Sequence, residues 1–401
     1  MQNWQDVIRY GVQMKASDVF YKPGTPPTLK MRGLMHKTDN FPVLTEDDTR
    51  YIAHSLMDER QIRIFEEDYP EKDVGLTIRD VCRLRINIFK ERGNVVLVMR
   101  IIPLDILTIA DLDMPPVLAD LAMSPQGLIL VTGPTGCGKS TTLAAMIDHI
   151  NRNRACHIIT VEDPIEYVHQ DRNSLVNQRE IGIDTKDFPD ALKYAMREAP
   201  DVILIGEMRD TITMGVAMQA AETGHLVFST VHTTSAAETM ERIVNMFPIE
   251  DRPMICLRMS RSLRGVLSQS LVPRASGVGR VAAIEIMVVT PTIQKFIEED
   301  KPSEMYSSIT DGSHWGMQTK NQALMKLYEA GVITQEDTMF YAGNFTEMRQ
   351  MVRRYDSETS DAERAAAEKA RRETALRGQR QQRPEGGQGA PPAGGQPPAP
   401  Q

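Results

Sequence analysis

Cysteine is scarce in this chain. Its four cysteines, Cys82, Cys137, Cys156 and Cys256, are far apart and form no C-x-x-C pair. That spacing suggests neither a cysteine zinc site nor a disulfide framework, and it fits a reducing, cytoplasmic location. Long apolar runs are missing too. No stretch reaches the roughly 18 consecutive apolar residues that read as a membrane span, and Met1-Gln-Asn-Trp-Gln-Asp is not a signal-peptide pattern. Direct membrane insertion is therefore not expected, and any membrane role is expected to come through partners. An excess of basic charge is also absent. The formal net charge of −8 argues against broad nucleic-acid binding and leaves only a local basic channel as a route to it. What remains, 41% apolar and 25% charged residues in a chain of 401, is a soluble globular composition with length for roughly two to three domains, each with its own core.

Against that background one stretch stands out, Gly127-Leu-Ile-Leu-Val-Thr-Gly-Pro-Thr-Gly-Cys-Gly-Lys-Ser-Thr-Thr142. Gly133, Pro134, Thr135, Gly136, Cys137, Gly138, Lys139 and Ser140 fit G-x-x-x-x-G-K-[ST] without a mismatch, and Thr141 follows. The apolar run before the motif predicts a buried parallel strand. Leu143, Met146, Ile147 and Ile150 after it are spaced as on a helix. A glycine loop between strand and helix turns successive N–H groups toward one anion at the positive end of the helix. Lys139 would reach the β- and γ-phosphates, and the Ser140 hydroxyl would be a ligand for Mg²⁺. The chain is expected to bind ATP with Mg²⁺.

Three further strands are predicted to end on polar residues of the same site. His157-Ile-Ile-Thr-Val ends on Glu162-Asp-Pro-Ile-Glu166, and Asp201-Val-Ile-Leu-Ile-Gly206 ends on Glu207-Met-Arg-Asp210. Leu226-Val-Phe-Ser-Thr-Val231 ends on His232, with His225 at its other end. Ligands of open α/β sheets bind at the carboxyl ends of strands, which is where these acids fall. Glu166 is read as the carboxylate that orients and deprotonates the attacking water, Glu207 as the metal-side acid, and His232 as the γ-phosphate sensor, with His225 beside it. Sequence alone leaves the two glutamates interchangeable between their roles.

Ahead of this lies a small α+β domain. Residues 2–16 read as an amphipathic helix, residues 17–33 as two short strands around a Pro/Gly turn, and Thr45 to Phe65 as helical after a capping-box start. Three alternating segments follow, the last two forming a hairpin around residues 90–93. Arg83, Arg85 and Arg100 lie on these strands. They read either as solvated strand cations or as cations presented to a phosphate site elsewhere in the assembly.

The motifs together resemble the secretion ATPase superfamily, and within it the type IV pilus retraction ATPases, the PilT and PilU proteins. The likeness rests on the phosphate loop, the acidic box 162–166, the strand end 206–210 and the histidine box 224–233. It extends to Arg83-Leu-Arg-Ile-Asn-Ile-Phe89 and Gly316-Met-Gln-Thr319. It implies an α/β chain in which a PAS-like N-terminal domain (1–102) and a linker (103–116) precede a RecA-like P-loop ATPase domain with C-terminal helices (117–355). It also implies a homohexamer, with Arg85 and Arg100 offered to the phosphates. No tetracysteine zinc site is possible here, unlike in the extension ATPases. Gln294 stands where the PilT group typically carries an arginine.

The function these features imply is a Mg²⁺-dependent hexameric ATPase motor for pilus retraction. It would act at the cytoplasmic face of the inner membrane on a pilus platform protein, without nucleic acid. Gln294 keeps a second reading in view, a PilU-like accessory ATPase or nucleotide-gated scaffold assisting a second retraction ATPase. Residues 235–355 are predicted to be mostly helical, including Pro253 to Leu271. Residues 356–401 are predicted to be a charged helix and a disordered Gly/Pro/Gln-rich tail.

Overall fold

The computed structural model describes residues 3–31, 33–102 and 104–359. The expected tail from residue 360 onward lies outside them. The chain divides into two compact units, Met1–Gly343 and Asn344–Gln401. In the second, residues 345–359 are helical. Asn344 opens this helix by accepting the Glu347 N–H at 3.1 Å, so the boundary expected at residue 355 falls inside it.

The N-terminal part of the first unit comprises α1 (Trp4–Gln13), β1 (Asp18–Tyr21), β2 (Thr28–Met31), β3 (Leu34–Lys37), α2 (Glu46–Ser55), α3 (Glu59–Glu67), β4 (Glu71–Ile78), β5 (Cys82–Glu91) and β6 (Asn94–Ile102). Its six-stranded antiparallel sheet has the order β3-β2-β1-β6-β5-β4. The helical stretch expected over 45–65 is two helices, because a second capping box intervenes. Thr45 and Asp48 cap α2 reciprocally, and Asp58 and Gln61 do the same for α3. The β5–β6 hairpin closes on Arg92-Gly93, both at positive φ, which suits the twist of the flanking strands. Along β5 the pleat sends Cys82, Leu84, Ile86 and Ile88 into the core with Phe65, Ile52 and Leu97, and leaves Arg83, Arg85 and Asn87 on the opposite face.

The connection to the second half is less free than a semi-extended linker. Thr108 and Asp111 cap a turn reciprocally, and Ile109 is buried in the core beyond. Next come α4 (Val117–Ala122), β7 (Gly127–Thr132), α5 (Lys139–Asn153), β8 (His157–Glu162), β9 (Leu175–Glu180), α6 (Phe188–Ala195), β10 (Val202–Ile205), α7 (Thr211–Glu222), β11 (Leu226–Val231), α8 (Ala236–Asn245), α9 (Arg252–Ser262), β12 (Leu263–Pro273) and β13 (Arg280–Val288). Helices α10 (Pro291–Glu298), α11 (Pro302–Asp311), α12 (Lys320–Glu329) and α13 (Gln335–Phe340) complete the unit. The sheet order is β13-β12-β7-β11-β10-β8-β9, parallel except for β13. Alternate residues of one strand enter different cores: Leu128, Ile203 and Val227 pack with α6–α11, whereas Ile129, Leu204 and Phe228 pack with α4 and α5. Both faces are covered, which is why the central strands are continuous apolar runs.

The expectation of helix from Pro253 to Leu271 is wrong. Helix α9 ends at Ser262, and Leu263–Pro273 is strand β12 beside β7. Leu263, Val266, Leu267 and Leu271 mimic helical spacing because a strand buried on both faces loses its alternation. Its polar middle is paired internally, as where Thr132 donates to Ser268 at 2.8 Å.

Candidate functional site

The loop between β7 and α5 is held from behind by β12. The Gln269 side chain, fully buried, donates to the Cys137 carbonyl at 2.6 Å and accepts from the Thr142 hydroxyl at 2.7 Å. Gly133 sits at φ 143°, and a Cβ there would lie 2.4 Å from the Gln269 carbonyl oxygen and 2.5 Å from Cys137 Sγ. Only glycine lets the chain turn this close to β12. The Lys139 ammonium donates to the Gly133 and Pro134 carbonyls at 2.8 and 3.1 Å, and α5 begins at Lys139. A buried cation and a helix N-terminus thus meet at one glycine-rich turn, the arrangement that suits an anion.

The order β7-β11-β10-β8 brings the carboxyl ends carrying His232, Glu207 and the acidic box beside this loop. They face a cavity of about 650 Å³ shared by Lys139, Ser140, Glu166, Glu207 and His232. Glu207 is mostly buried; it accepts from Arg209 at 2.6 Å and lies 3.7 Å from His232 Nε2. Burial, reinforced by the Lys139 ammonium, holds the His232 imidazole below the usual histidine range, against the opposing pull of Glu207. A neutral imidazole keeps one ring N–H as donor. Burial pushes the Glu162 carboxyl up, although Thr160 and Gln178 donate to it at 2.7 and 3.1 Å. Asp210 caps α7 through the Thr213 N–H, so it serves that helix.

The opposite wall belongs to the N-terminal sheet of the same chain. Arg85 and Arg100 are directly paired across β5 and β6, and both line the cavity. Arg100 also contacts Asp18 at 3.1 Å, with its side chain 63% exposed. Arg83, two residues before Arg85 on the same face, behaves otherwise. It pairs with Glu180 and donates to the Ile165 carbonyl at 3.2 Å, so it is neither solvated nor turned to the phosphate loop.

One residue of the histidine box lies elsewhere. His225 is at the amino end of β11, its Nδ1 hydrogen-bonded to the Ala220 carbonyl at 2.9 Å. At ~3.3 Å per residue the strand separates it from His232 by roughly 20 Å. It is not beside the sensor. The cavity residues that went unread in the sequence include Arg209, Tyr167, Arg280 at the start of β13, and Leu271. For Gln269 a signal was available, the polar Ser268-Gln269-Ser270 within an apolar run. A second cavity of about 940 Å³ adjoins the first and shares Thr141 and Tyr167 with it. It opens between residues 104–107, Ile101 and the outer face of α5, and Lys15 and Arg152 are among its lining.

The residues fit a nucleoside triphosphate with Mg²⁺. Among the described residues no group of three or more His, Cys, Asp or Glu side chains could hold a metal alone. Mg²⁺ usually takes only one or two protein groups beside phosphate oxygens and water, and Ser140 and Glu207, groups of the kind it takes, both line the cavity. Among the described residues no helix is long and apolar enough to cross a membrane.

Residues 35–379 match the family described as type II/IV secretion system protein. The type IV pilus retraction ATPase PilT of Pseudomonas aeruginosa is 44% identical over 83% of this chain and 96% of its own length. The type IV pilus ATPase PilU of the same organism is 39% identical over 87% of this chain and 91% of its own. A crystal structure of the pilus retraction motor PilT with bound ADP superposes with a TM-score of 0.81 at 42% identity, covering 87% of this chain and 99% of that one.

Proposed function

The chain belongs to the type II/IV secretion system protein family, and from that premise we propose that it is an ATP-hydrolysing motor of type IV pilus retraction. The observation that carries the reading is one cavity in which Lys139, Ser140, Glu166, Glu207 and His232 meet Arg85 and Arg100. Glu166 accepts a proton from the water that attacks the γ-phosphorus, and the β-phosphate oxygen leaves as ADP. His232, held neutral, offers its N–H to a γ-oxygen. Arg85 and Arg100 neutralise charge on the transferring group from the N-terminal side. Mg²⁺ would be held by Ser140 and on the Glu207 side, and when bound would supply charge neutralisation to the phosphates. The adjoining cavity at Thr141 has room for the base and ribose.

In this reading residues 1–102 are the N-terminal lever and 117–343 the hydrolysing domain. Six copies form a ring at the cytoplasmic face of the inner membrane, pushing on a pilus platform protein. A second reading, an accessory ATPase beside a primary retraction motor, is favoured by Gln294 on α10 and by the PilU relative.

The test is ATP turnover by the purified chain with and without Mg²⁺, beside Glu166→Gln. We expect Mg²⁺-dependent turnover that falls by at least about 10²-fold in the variant while nucleotide still binds. Binding without turnover in the unaltered chain would leave only the scaffold form of the accessory reading.

A further inference from the structure

We propose that Arg83 and Glu180 form a latch through which the N-terminal domain positions the acidic box, so that Glu166 is held in place only when the two domains of one chain are closed together. The inference rests on the reading of Glu166 given above and adds positioning residues to it.

The latch grips one peptide unit from both sides. The Ile165 N–H donates to Glu180 Oε2 at 3.2 Å, and the Ile165 carbonyl accepts from Arg83 Nε at 3.2 Å. The two gripping side chains are themselves paired through Arg83 Nη2 and Glu180 Oε2. Ile165 immediately precedes Glu166, so fixing both its polar backbone groups fixes the start of the glutamate's own peptide.

Each jaw is rigid. Arg83 stands on β5, between β4 and β6. Glu180 is the last residue of β9 and lies opposite Glu162 across the β8–β9 pair. Its N–H donates to Asp184 Oδ2 at 2.8 Å, and its carbonyl accepts from the Asp184 N–H at 2.9 Å. The side chains are 14% and 7% exposed, so the ion pair sits largely out of water, where losing one partner strands the other's charge. The neighbouring strand leaves space for them: at Gly75 on β4 a Cβ would lie 3.0 Å from Arg83 Nη2 and 3.2 Å from Glu180 Oε1.

Arg83 and Arg85 share a face of one strand, so a single movement of the N-terminal sheet shifts a phosphate-facing cation and the latch together. Opening the domains would withdraw Arg85 from the cavity and free the acidic box in the same step. The two-state element is domain closure, biased by contacts that exist only in the closed state.

The experiment measures steady-state ATP turnover and the Kd of a fluorescent ADP analogue for the full chain and for Arg83→Ala, Glu180→Ala, the double variant, Arg83→Lys and Glu180→Gln. The latch requires each alanine single to lower kcat by about tenfold or more while the analogue's Kd moves by less than about twofold. The double variant should be no slower than the slower single, because the two residues act as one device. Arg83→Lys should recover part of the rate. Should Glu180→Ala fail to fold, Glu180→Gln, which keeps an acceptor for the Ile165 N–H, takes its place. Losses that multiply in the double variant, or a weakened Kd with unchanged kcat, overturn the latch. Glu166→Gln run alongside separates the two ideas. If it turns over normally, the reading of the acidic box fails; if it is dead while both latch singles run at the unaltered rate, only the latch fails.

Discussion

The two walls of the cavity are built on different plans. On the sheet side the loop and strand ends are pinned: Gln269 ties Cys137 to Thr142, Lys139 is bound to loop carbonyls, and Thr160 and Gln178 hold Glu162. On the N-terminal side Arg85 is exposed and Arg100 is anchored by Asp18 alone among its described partners, with most of its side chain in solvent. The first plan favours a preorganised phosphate site whose groups cost little reorganisation. The second places exposed cations on a separate sheet, so their reach into the cavity depends on where that sheet sits. On the proposed reading, the sheet-side wall holds the phosphates and the attacking water, and the N-terminal wall adds the cations that the transferring group needs.

The comparison breaks most visibly if the arginines are removed. Replacing both Arg85 and Arg100 by alanine is expected to lower kcat on the order of 10³-fold, about 4 kcal/mol of transition-state stabilisation. ADP affinity should change by less than about fivefold, because the phosphate loop is intact. Single-turnover kinetics with an equilibrium ADP titration reads both quantities. A large loss of ADP binding with normal turnover would place the arginines in simple binding and erase the division between the walls.

How much of this was legible depended on which physical signal each part carried. Strands β7, β8, β10 and β11 read correctly because strands covered on both faces are apolar throughout, and their ends announce themselves as acids or histidine. The same coverage hid β12, whose buried Ser268 and Gln269 looked like the polar face of a helix. Strand β9 gave no signal, since an edge strand with the sequence Leu-Val-Asn-Gln-Arg-Glu has neither a run nor a clean apolar face. The site followed suit. Residues at strand ends next to their own motifs were found, whereas Gln269, Arg280 and Glu180 reach the site through sheet order, which spacing does not encode. Arg83 shows the limit most plainly: its role depends on a carboxylate 97 residues away.

A second prediction sharpens the claim that the sheet-side wall is closed. His169 follows the acidic box and is buried, with no hydrogen-bond partner for Nδ1 among the described residues. Burial pushes its imidazole from 6.5 down to about 4, with Asp148 pulling weakly the other way. Between those values the unfolded chain binds the proton and the folded chain does not. The stability His169 confers as a neutral ring is therefore complete above pH 6.5 and lost as pH falls toward 4. By pH 5 the loss should be about 2 kcal/mol. His169→Gln should remove that part of the acid sensitivity, seen as a smaller drop in urea midpoint between pH 7.5 and 5. Equal drops in both proteins would show that the ring is hydrated in the folded state.

The smallest effect is expected at the far end of β11, where one strand carries two histidines in opposite circumstances. His232 faces Glu207 in the cavity, and His225 bonds the last turn of α7 through the Ala220 carbonyl. Their common origin in one histidine box suggested a common role, but a strand has two ends, and only the carboxyl end meets the phosphate loop. His225→Ala removes one partly exposed hydrogen bond, worth about 1 kcal/mol of stability, and should leave kcat within about twofold. His232→Ala is the paired control, and it should slow turnover without lowering the melting temperature by a comparable amount. A His225→Ala variant that folds normally and yet hydrolyses as poorly as the His232 variant would mean that the amino end of the strand communicates with the chemistry. The division between walls would then have to include a path along β11 itself.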